Sequence, residues 1–311
     1  MTQVTIGIDI SKDNLDAHRH PSGEARRFDN SAKGHKALIA WIGSTPARVV
    51  FEPTGPYHAA IERALANAGL PLVKVNPRQA RRFAEAVGSL AKTDRLDAAM
   101  LARMGAVLQL ETRPANSEII CELKQLHLAR ETLVRDRTAA RNRAKSLSIA
   151  LLKRHNTERM KQIERQIDAI ETEIEARLRS EPELARRFDI LLSIPGIARL
   201  TAFALLIHMP ELGCLEPGQA ASLSGLAPVA RQSGKWTGKA FIRGGRSNVR
   251  QALYMPALVA MRYNPDLKAK YDQLVSAGKP AKIAITAIMR KLILLANALL
   301  KANRAWLPKL A

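Results

Sequence analysis

The chain has 311 residues, with 49 Lys and Arg against 28 Asp and Glu, and a formal net charge of +21 at pH 7. Its apolar content of 47% excludes a wholly disordered chain, and the length suggests about two domains. The only two cysteines, Cys121 and Cys214, argue against a disulfide framework or a cysteine-rich zinc site. The surplus of positive charge indicates a polyanionic partner, most often nucleic acid.

No membrane segment is expected. The opening sequence MTQVTIGIDISKDNLD carries charges where a signal peptide needs an apolar run. The most apolar stretch, Ile283–Leu300, is interrupted by Arg290, Lys291 and Asn297, which makes it a poor membrane span. We therefore expect a cytoplasmic protein without a membrane partner.

The first hundred residues alternate between strand and helix signals. Strands are predicted at Val4–Ile10, Leu15–His18, Glu24–Asp29, Arg48–Phe51 and Pro71–Val75. Helices are predicted at Lys33–Ile42 after an Asn30-Ser31 cap, at Tyr57–Asn67, and from Asn76-Pro77 onward. An opening meander followed by helical crossovers predicts an α/β sheet with a mixed edge.

The rest of the chain is predicted to be helical. Between Ser117 and Arg179 there is no Gly or Pro, which favours two long helices that break near His155-Asn156 and form an antiparallel hairpin or coiled coil. A pair of ordinary domain helices is the alternative. After Pro182 the helices are short, and the Pro-Gly turn in Leu192–Thr201 resembles a helix-hairpin-helix that holds a phosphate. The predicted fold is α/β plus all-α, with domains at 1–112, 113–181 and 182–311.

Four carboxylates in the first domain suggest metal chemistry. Asp9 and Glu52 each lie at the end of a predicted strand, and the sequence KTDRLDA places Asp94 and Asp97 on one face of a helix. Such oxygen ligands suit Mg²⁺ or Mn²⁺ and phosphodiester chemistry. Taken singly, Asp9 could satisfy loop amides, while Glu52 and Asp94 could be helix caps. Asp13 and Asp16 are weaker candidates, because they lie in the turn and the second strand.

The segment Arg231–Arg250 has six basic residues and no acid. Basic side chains beside an aromatic ring offer phosphate contacts and a stacking surface for bases. The expected nucleic-acid-binding residues are Arg231, Lys235, Trp236, Lys239, Arg243, Arg246 and Arg250, joined by Arg137, Arg141 and Lys145 of the helical hairpin. Ser247 follows two glycines and Arg246, directly before a helical run. From the residues alone, a helix-cap role for Ser247 is favoured over a nucleophilic one.

A family resemblance links these motifs. The segments GIDISKDNLD, FEPTG and KTDRLDA resemble the RuvC-type, RNase H-like domain of the IS-one-ten family of insertion-sequence transposases. The segments SIPGI, SGLAP, GGRSNVRQALY and PAKIAITAIMRKLILLANAL resemble that family's C-terminal transposase domain. The resemblance places the acidic DEDD tetrad on Asp9, Glu52, Asp94 and Asp97. It places the nucleophilic serine on Ser247, with Ser233 and Ser224 as lesser candidates, although Arg246 stands where relatives often have an acidic or small residue.

The resemblance implies a recombinase that excises and inserts a mobile DNA element. A structured bridge RNA would pair with donor and target DNA, Mg²⁺ or Mn²⁺ would bind at the tetrad, and Ser247 would form a covalent link to a DNA phosphate. The link conserves the phosphodiester energy, so no ATP is required. The helical hairpin would assemble a dimer or tetramer, in a bacterial cytoplasm and at the nucleoid during the reaction.

Two other functions remain open. In a metal-dependent junction-resolving nuclease, the four carboxylates activate water and Ser247 is only a cap. In a non-catalytic nucleic-acid-binding protein, Asp9→Asn leaves every activity intact, and the four carboxylates have no explanation.

Overall fold

The protein is represented by a computed structural model that describes residues 4–43, 47–89, 93–108, 110, 112 and 117–308. It divides into two compact units, Met1–Ser117 and Glu118–Ala311. The first unit is mixed α/β and the second is mostly helical, which confirms the predicted change of class along the chain. The predicted helical hairpin falls within the second unit, and its standing as a separate domain stays a prediction.

The first unit contains one five-stranded sheet of order β3-β2-β1-β4-β5. Strands β1, β2 and β3 are antiparallel neighbours, whereas β4 runs parallel to both β1 and β5. The predicted mixed sheet is therefore confirmed. The strands are β1 (Val4–Ile10), β2 (Asn14–His20), β3 (Ala25–Asp29), β4 (Ala47–Phe51) and β5 (Leu72–Lys74), and the helices are α1 (Ala32–Ile42), α2 (His58–Asn67), α3 (Pro77–Ala86) and α4 (Asp94–Leu108).

Local capping explains where two of these helices begin. The Ser31 side chain accepts a hydrogen bond from the Gly34 amide before α1, and the Asn76 side chain accepts one from the Arg78 amide before α3. Both groups satisfy amides that a helix leaves without an internal partner. The two predicted helix starts are confirmed.

Both faces of the sheet are covered. Val49 and Phe51 of β4 pack with Leu38 and Ile61 of α1 and α2 on one face. Val50, between them in the strand, packs with Leu101 of α4 on the other face. Burial on both sides accounts for the continuous apolar runs of β1 and β4.

Helix α4 approaches the sheet at a distance that only glycine allows. A Cβ atom at Gly7 would lie 2.1 Å from the Ala98 carbonyl oxygen and 2.4 Å from the Ala102 amide nitrogen. A Cβ atom at Gly105 would lie 2.5 Å from a methyl carbon of Val50. These two close contacts fix α4 against β1 and β4, and thereby position the first turn of α4.

Gly7→Ala is expected to displace α4 from the sheet. The added methyl meets backbone atoms that cannot move without the helix, so overpacking should cost about 1–3 kcal/mol of unfolding free energy. Urea unfolding of the full chain measures this cost. Gly218→Ala is the control, because a Cβ atom there meets nothing within 4 Å. Equal stability of Gly7→Ala and Gly218→Ala would contradict the close packing of α4.

The second unit is built from helices with four short strands. Its helices are α5 (Glu118–Ala144), α6 (Ala150–Ser180), α7 (Pro182–Leu192), α8 (Arg199–His208), α9 (Pro217–Leu223), α10 (Ser247–Ala252), α11 (Tyr254–Tyr263), α12 (Pro265–Ser276) and α13 (Ala281–Lys301). The strands are β6 (Pro228–Val229), β7 (Gln232–Ser233), β8 (Trp236–Thr237) and β9 (Phe241–Ile242).

Helices α5 and α6 form an antiparallel hairpin, joined by Arg130–Glu171 and Arg177–Glu122 ion pairs. The break lies at residues 145–149, so the predicted break near His155-Asn156 is wrong. Asn156 lies inside α6, is buried, and donates a hydrogen bond to the Ala140 carbonyl oxygen at 3.2 Å. A residue type common in turns therefore serves as a polar contact between the two helices.

Helix α13 lies in the core of the second unit. It is long and apolar enough to cross a membrane, with a mean hydropathy of 1.9 over its most apolar stretch. However, Ile288, Leu292 and Ala296 are fully buried in the main hydrophobic cluster. Asn297 accepts a hydrogen bond from the Gly213 amide and donates one to the Leu215 carbonyl oxygen. Helix α13 is therefore apolar because it is a central core helix. This agrees with the polar residues that interrupt it, from which the sequence predicted a poor membrane span.

The predicted Pro-Gly turn joins α7 to α8. Gly196 has a φ of 100°, and a Cβ atom there would lie 2.6 Å from the Pro256 carbonyl oxygen. Glycine is therefore required both by the left-handed backbone and by the contact with α11. Phosphate binding by this turn stays a prediction.

Candidate catalytic residues and nucleic-acid interface

Asp9 and Glu52 lie side by side at one edge of the sheet. Strands β1 and β4 are parallel neighbours, and Ile8 is in register with Phe51. Asp9 directly follows Ile8, and Glu52 directly follows Phe51. Both residues therefore lie at the carboxyl ends of the two parallel strands. Asp9 is also opposite Asp16 in the antiparallel β1–β2 register.

Helix α4 adds Asp94 and Asp97 through its first turn. Burial and, after it in order of size, the negative charges of Asp94, Asp97, Glu52 and Asp16 together raise the pKa of Asp9 to about 6. The structure therefore places Glu52, Asp94 and Asp97 within electrostatic range of Asp9. These are the four carboxylates that the sequence singled out.

The arrangement fits a divalent cation. Carboxylate oxygens are the donors that Mg²⁺ prefers, and Mg²⁺ is commonly held by one or two carboxylates together with substrate phosphates. The raised pKa of Asp9 reflects first its burial and then the negative charge of its neighbours, and a bound cation would offset both effects. Within the described ranges, no three carboxylate oxygens of this group lie within 4.8 Å of one another. A bound cation would have to draw them closer.

The alternative capping roles of these acids do not match the helix ends. The N-cap of α2 is Tyr57, not Glu52. Before α4, the Thr93 hydroxyl accepts a hydrogen bond from the Leu96 amide at 3.3 Å, so Thr93 is the capping side chain and Asp94 is the first helical residue.

Arg27 is a residue at this edge that the sequence analysis missed. Its guanidinium donates to both oxygens of Asp16, at 3.0 and 2.9 Å, and lies 3.7 Å from Asp94. Asp16 is thus paired with a cation, which agrees with its weaker standing as a metal ligand. The register of the β2–β3 hairpin, in which Asp16 faces Arg27, is the signal that could have identified it.

Ser247 is exposed at the start of α10. The N-cap of α10 is Arg246, whose side chain makes no capping hydrogen bond, and the Ser247 Oγ lies 3.4 Å from Asn248 Oδ1. The structure thus does not give Ser247 the cap role that the residues alone favoured. Ser224 is fully buried and donates to the Ala221 carbonyl oxygen, so its hydroxyl is inaccessible, whereas Ser233 in β7 is exposed.

Close backbone packing holds the loop before Ser247. Gly244 and Gly245 have positive φ values of 74° and 65°. A Cβ atom at Gly245 would lie 2.1 Å from the Gly225 amide nitrogen, and the Arg246 amide donates to the Leu223 carbonyl oxygen at 2.7 Å. The segment SGLAP and the segment GGRS, which are distant in sequence, therefore lie against each other.

Two of the predicted nucleic-acid-binding arginines also hold this loop. The Arg246 guanidinium forms a bidentate ion pair with Glu211 and donates to the His208 carbonyl oxygen at 2.7 Å. Arg250 donates to the Gly244 carbonyl oxygen at 2.9 Å. Both side chains position the backbone that carries Ser247.

Residues 228–242 form an exposed strand pair and hairpin, which we call the β-finger. Strand β6 pairs with β9, and β7 pairs with β8. Every residue of the β-finger is exposed except the half-buried Gly238. It presents the basic and aromatic side chains Arg231, Lys235, Trp236 and Lys239. Of the other predicted contacts, Arg243, Arg141 and Lys145 are exposed and Arg137 is half-buried.

Comparison with known proteins agrees with these features. A family model described as "Transposase", whose name refers to a DEDD tetrad and to IS110, matches residues 6–170. A second model, "Transposase IS116/IS110/IS902 family", matches residues 188–272. The chain is similar to the "Pilin gene-inverting protein" of Moraxella bovis, with 30% identity over 98% of both chains, and equally to that of Moraxella lacunata.

A shorter match covers 43% of this chain and 32% of the "Insertion element IS110 uncharacterized 43.6 kDa protein" of Streptomyces coelicolor, at 31% identity. The first family model alone spans more than half of the chain. The four carboxylates of the first unit lie within the first matched region. The loop Gly244–Ser247 of the second unit, which we call the serine loop, lies within the second. The chain belongs to the IS110 family of transposases and is a DNA transposase or recombinase.

Proposed function

We propose that the protein excises and inserts a mobile DNA element through a covalent phosphoserine intermediate formed by Ser247. The observation that carries the proposal is the placement of Asp9 and Glu52 at the carboxyl ends of the parallel neighbours β1 and β4, where the charges of Asp94 and Asp97 in the first turn of α4 also act on Asp9. A cluster of carboxylates in a chain of net charge +21 opposes the general charge of the protein, and phosphodiester chemistry gives it a role. The fold proposed for the first unit is RNase H-like, of the RuvC type.

Asp9, Glu52, Asp94 and Asp97 would hold Mg²⁺ or Mn²⁺. When bound, the metal would stabilise negative charge on the scissile phosphate. The Ser247 Oγ would attack phosphorus and lose its proton, the bond to the 3′-oxygen would break, and that oxygen would leave as a 3′-hydroxyl. A 3′-hydroxyl of another strand would then reverse the step, so the number of phosphodiester bonds is conserved without ATP.

The chemistry requires the tetrad and Ser247 to act on the same phosphate. Because these groups belong to different units of the chain, the proposal calls for an assembly that brings them together on DNA. We propose a dimer or tetramer formed through the α5–α6 hairpin, acting in the bacterial cytoplasm at the nucleoid. Size-exclusion chromatography with light scattering measures the oligomeric state with and without DNA.

A structured bridge RNA is the proposed guide. Exposed basic side chains lie in the β-finger and along α5, and a polyanion such as RNA suits them. Purification of the full chain followed by sequencing of bound RNA tests this part. A single discrete RNA species is expected, and a protein that carries no RNA but still recombines DNA would contradict it.

Trp236→Ala is expected to weaken nucleic-acid binding. Trp236 is 59% exposed at the tip of the β-finger, and stacking of a base on an aromatic ring is worth about 1–3 kcal/mol. The affinity for single-stranded DNA or RNA should therefore fall roughly five- to 150-fold in fluorescence anisotropy. Tyr263→Ala is the matched control, since Tyr263 is an aromatic residue that is 71% exposed on α11. Unchanged affinity of Trp236→Ala would remove the β-finger from the interface.

A metal-dependent nuclease remains a second candidate, because the tetrad could activate water without a serine. The two functions differ in one outcome. The nuclease cuts DNA with Ser247 replaced, whereas the serine recombinase does not.

A further inference from the structure

A histidine pair in the second unit has no role in the proposed chemistry. His127 of α5 and His208, the last residue of α8, bring their Nδ1 and Nε2 atoms to 3.1 Å. The two rings are nearly perpendicular, at 85°, with centroids 4.7 Å apart. Glu131, one helical turn after His127, places its Oε1 atom 3.8 Å from the same Nδ1 atom.

We propose that His127, Glu131 and His208 form a transition-metal site, suited to Zn²⁺, that joins α5 to α8. The three ligand atoms lie within 4.8 Å of one another. In a tetrahedral zinc site with bonds of roughly 2.0–2.1 Å, neighbouring ligand atoms are about 3.3 Å apart. The two nitrogen atoms, now 3.1 Å apart, need to separate slightly, and the Glu131 oxygen needs to move about half an ångström closer to the His127 nitrogen, from 3.8 Å. Two His, one Glu and a water complete a set of four ligands.

The surroundings favour a metal over a charged histidine. Burial lowers the pKa of His127 and that of His208 to about 4, so both rings are neutral at pH 7, which is the form that binds metals. His127 is 6% exposed, whereas the Glu131 side chain is 37% exposed, which gives an ion a route from solvent. Two nearby cations are already paired, Arg130 with Glu171 and Arg246 with Glu211.

The site is connected to the serine loop. The His208 carbonyl oxygen accepts a hydrogen bond from Arg246, the residue that precedes Ser247. A metal that fixes the end of α8 therefore also fixes one of the anchors of that loop. The proposed role is structural: the metal holds α5, α8 and the loop of Arg246 in one arrangement.

Cobalt provides a spectroscopic test that needs no DNA. The full chain is treated with a chelator, then titrated with Co²⁺ in the presence of excess Mg²⁺, which occupies hard oxygen sites. One equivalent of Co²⁺ is expected to give the strong visible bands of tetrahedral coordination, and Zn²⁺ should remove them. Octahedral binding at carboxylates gives only weak bands, so the proposed tetrad site does not interfere.

Two conservative variants locate the site. Glu131→Gln and His208→Gln should each weaken Co²⁺ binding at least about tenfold, since loss of even an outer partner of a metal site costs about 10–100-fold. His155→Gln is the control, because His155 is exposed on α6, and it should bind Co²⁺ like the wild type. Absence of the visible bands, or equal binding by all three variants, would overturn the proposal and leave the pair as a neutral hydrogen bond.

Discussion

Ser247→Ala should abolish DNA strand cleavage. The proposed first step is attack by the Ser247 Oγ, and removing a nucleophile lowers turnover by at least about 10³-fold. The serine is exposed, and its only described hydrogen bond is a 3.4 Å contact with Asn248, so the substitution should not alter folding. Cleavage of a labelled DNA substrate, guided as in the wild type, measures the effect. DNA binding should be unchanged, because no phosphate contact is removed.

Ser233→Ala is the matched control for this variant. Ser233 is exposed in the β-finger, within the same basic segment, and its loss should leave cleavage intact. Wild-type cleavage by Ser247→Ala would contradict the covalent mechanism and favour a tetrad that activates water. Loss of cleavage in Ser233→Ala alone would move the nucleophile to that residue.

Asp9→Asn should abolish cleavage as well, and it should stabilise the metal-free first unit. Asp9 is a central carboxylate of the proposed metal site, so its replacement removes a ligand at the scissile phosphate and should slow cleavage at least about 10³-fold. The same residue is held against its like-charged neighbours Asp94, Asp97 and Glu52. Replacing it with a neutral side chain of the same shape relieves that repulsion.

The pH dependence of stability follows from the raised pKa of Asp9. The folded-state pKa is about 6, against 3.8 for an unperturbed Asp, so between these values the folded form binds more protons than the unfolded form. The contribution of Asp9 to stability then falls as the pH rises through this range. Burial lowers the pKa of His127 and that of His208 to about 4, so these residues raise stability over the same pH range, and Asp9→Asn serves as the reference. In metal-free protein, the unfolding temperature of the wild type, measured relative to that of Asp9→Asn, should be lower at pH 7 than at pH 5. Added Mg²⁺ should raise the unfolding temperature of the wild type at pH 7 by more than it raises that of Asp9→Asn.

Asp16→Asn controls for the removal of one negative charge near the site. Asp16 is paired with Arg27, so its loss exposes a cation and should not abolish cleavage. If Asp16→Asn abolished cleavage as fully as Asp9→Asn, the assignment of the tetrad would be incorrect. If Asp9→Asn cut DNA normally, the metal-dependent mechanism would fail and the non-catalytic function would gain support.

The sequence predicted the first unit well because its signals are local. Short β-branched runs, a Ser cap and an Asn-Pro helix start fix β1, α1 and α3 without reference to the rest of the chain. The sequence predicted that Asp9 and Glu52 reach the same edge of the sheet on one condition, that β1 and β4 are parallel neighbours. The structure meets this condition.

Long-range contacts account for what the sequence did not predict. The helical hairpin breaks at residues 145–149 rather than at Asn156, because Asn156 finds a buried partner in Ala140. Arg27 was missed because its role depends on strand register. The pairing of His127 with His208 was missed because 81 residues separate them, and no spacing rule joins such distant positions.

Isolation of the protein–DNA adduct tests whether Ser247 forms a covalent bond to a DNA phosphate. The wild-type protein is incubated with its guide RNA, Mg²⁺ and a DNA substrate, quenched in denaturant, digested with protease and nuclease, and examined by mass spectrometry. We predict a single nucleotide-modified peptide that contains Ser247, formed only when Mg²⁺ is present. Cleaved DNA without any covalent peptide, or with the modification on another residue, would show that Ser247 is not the nucleophile.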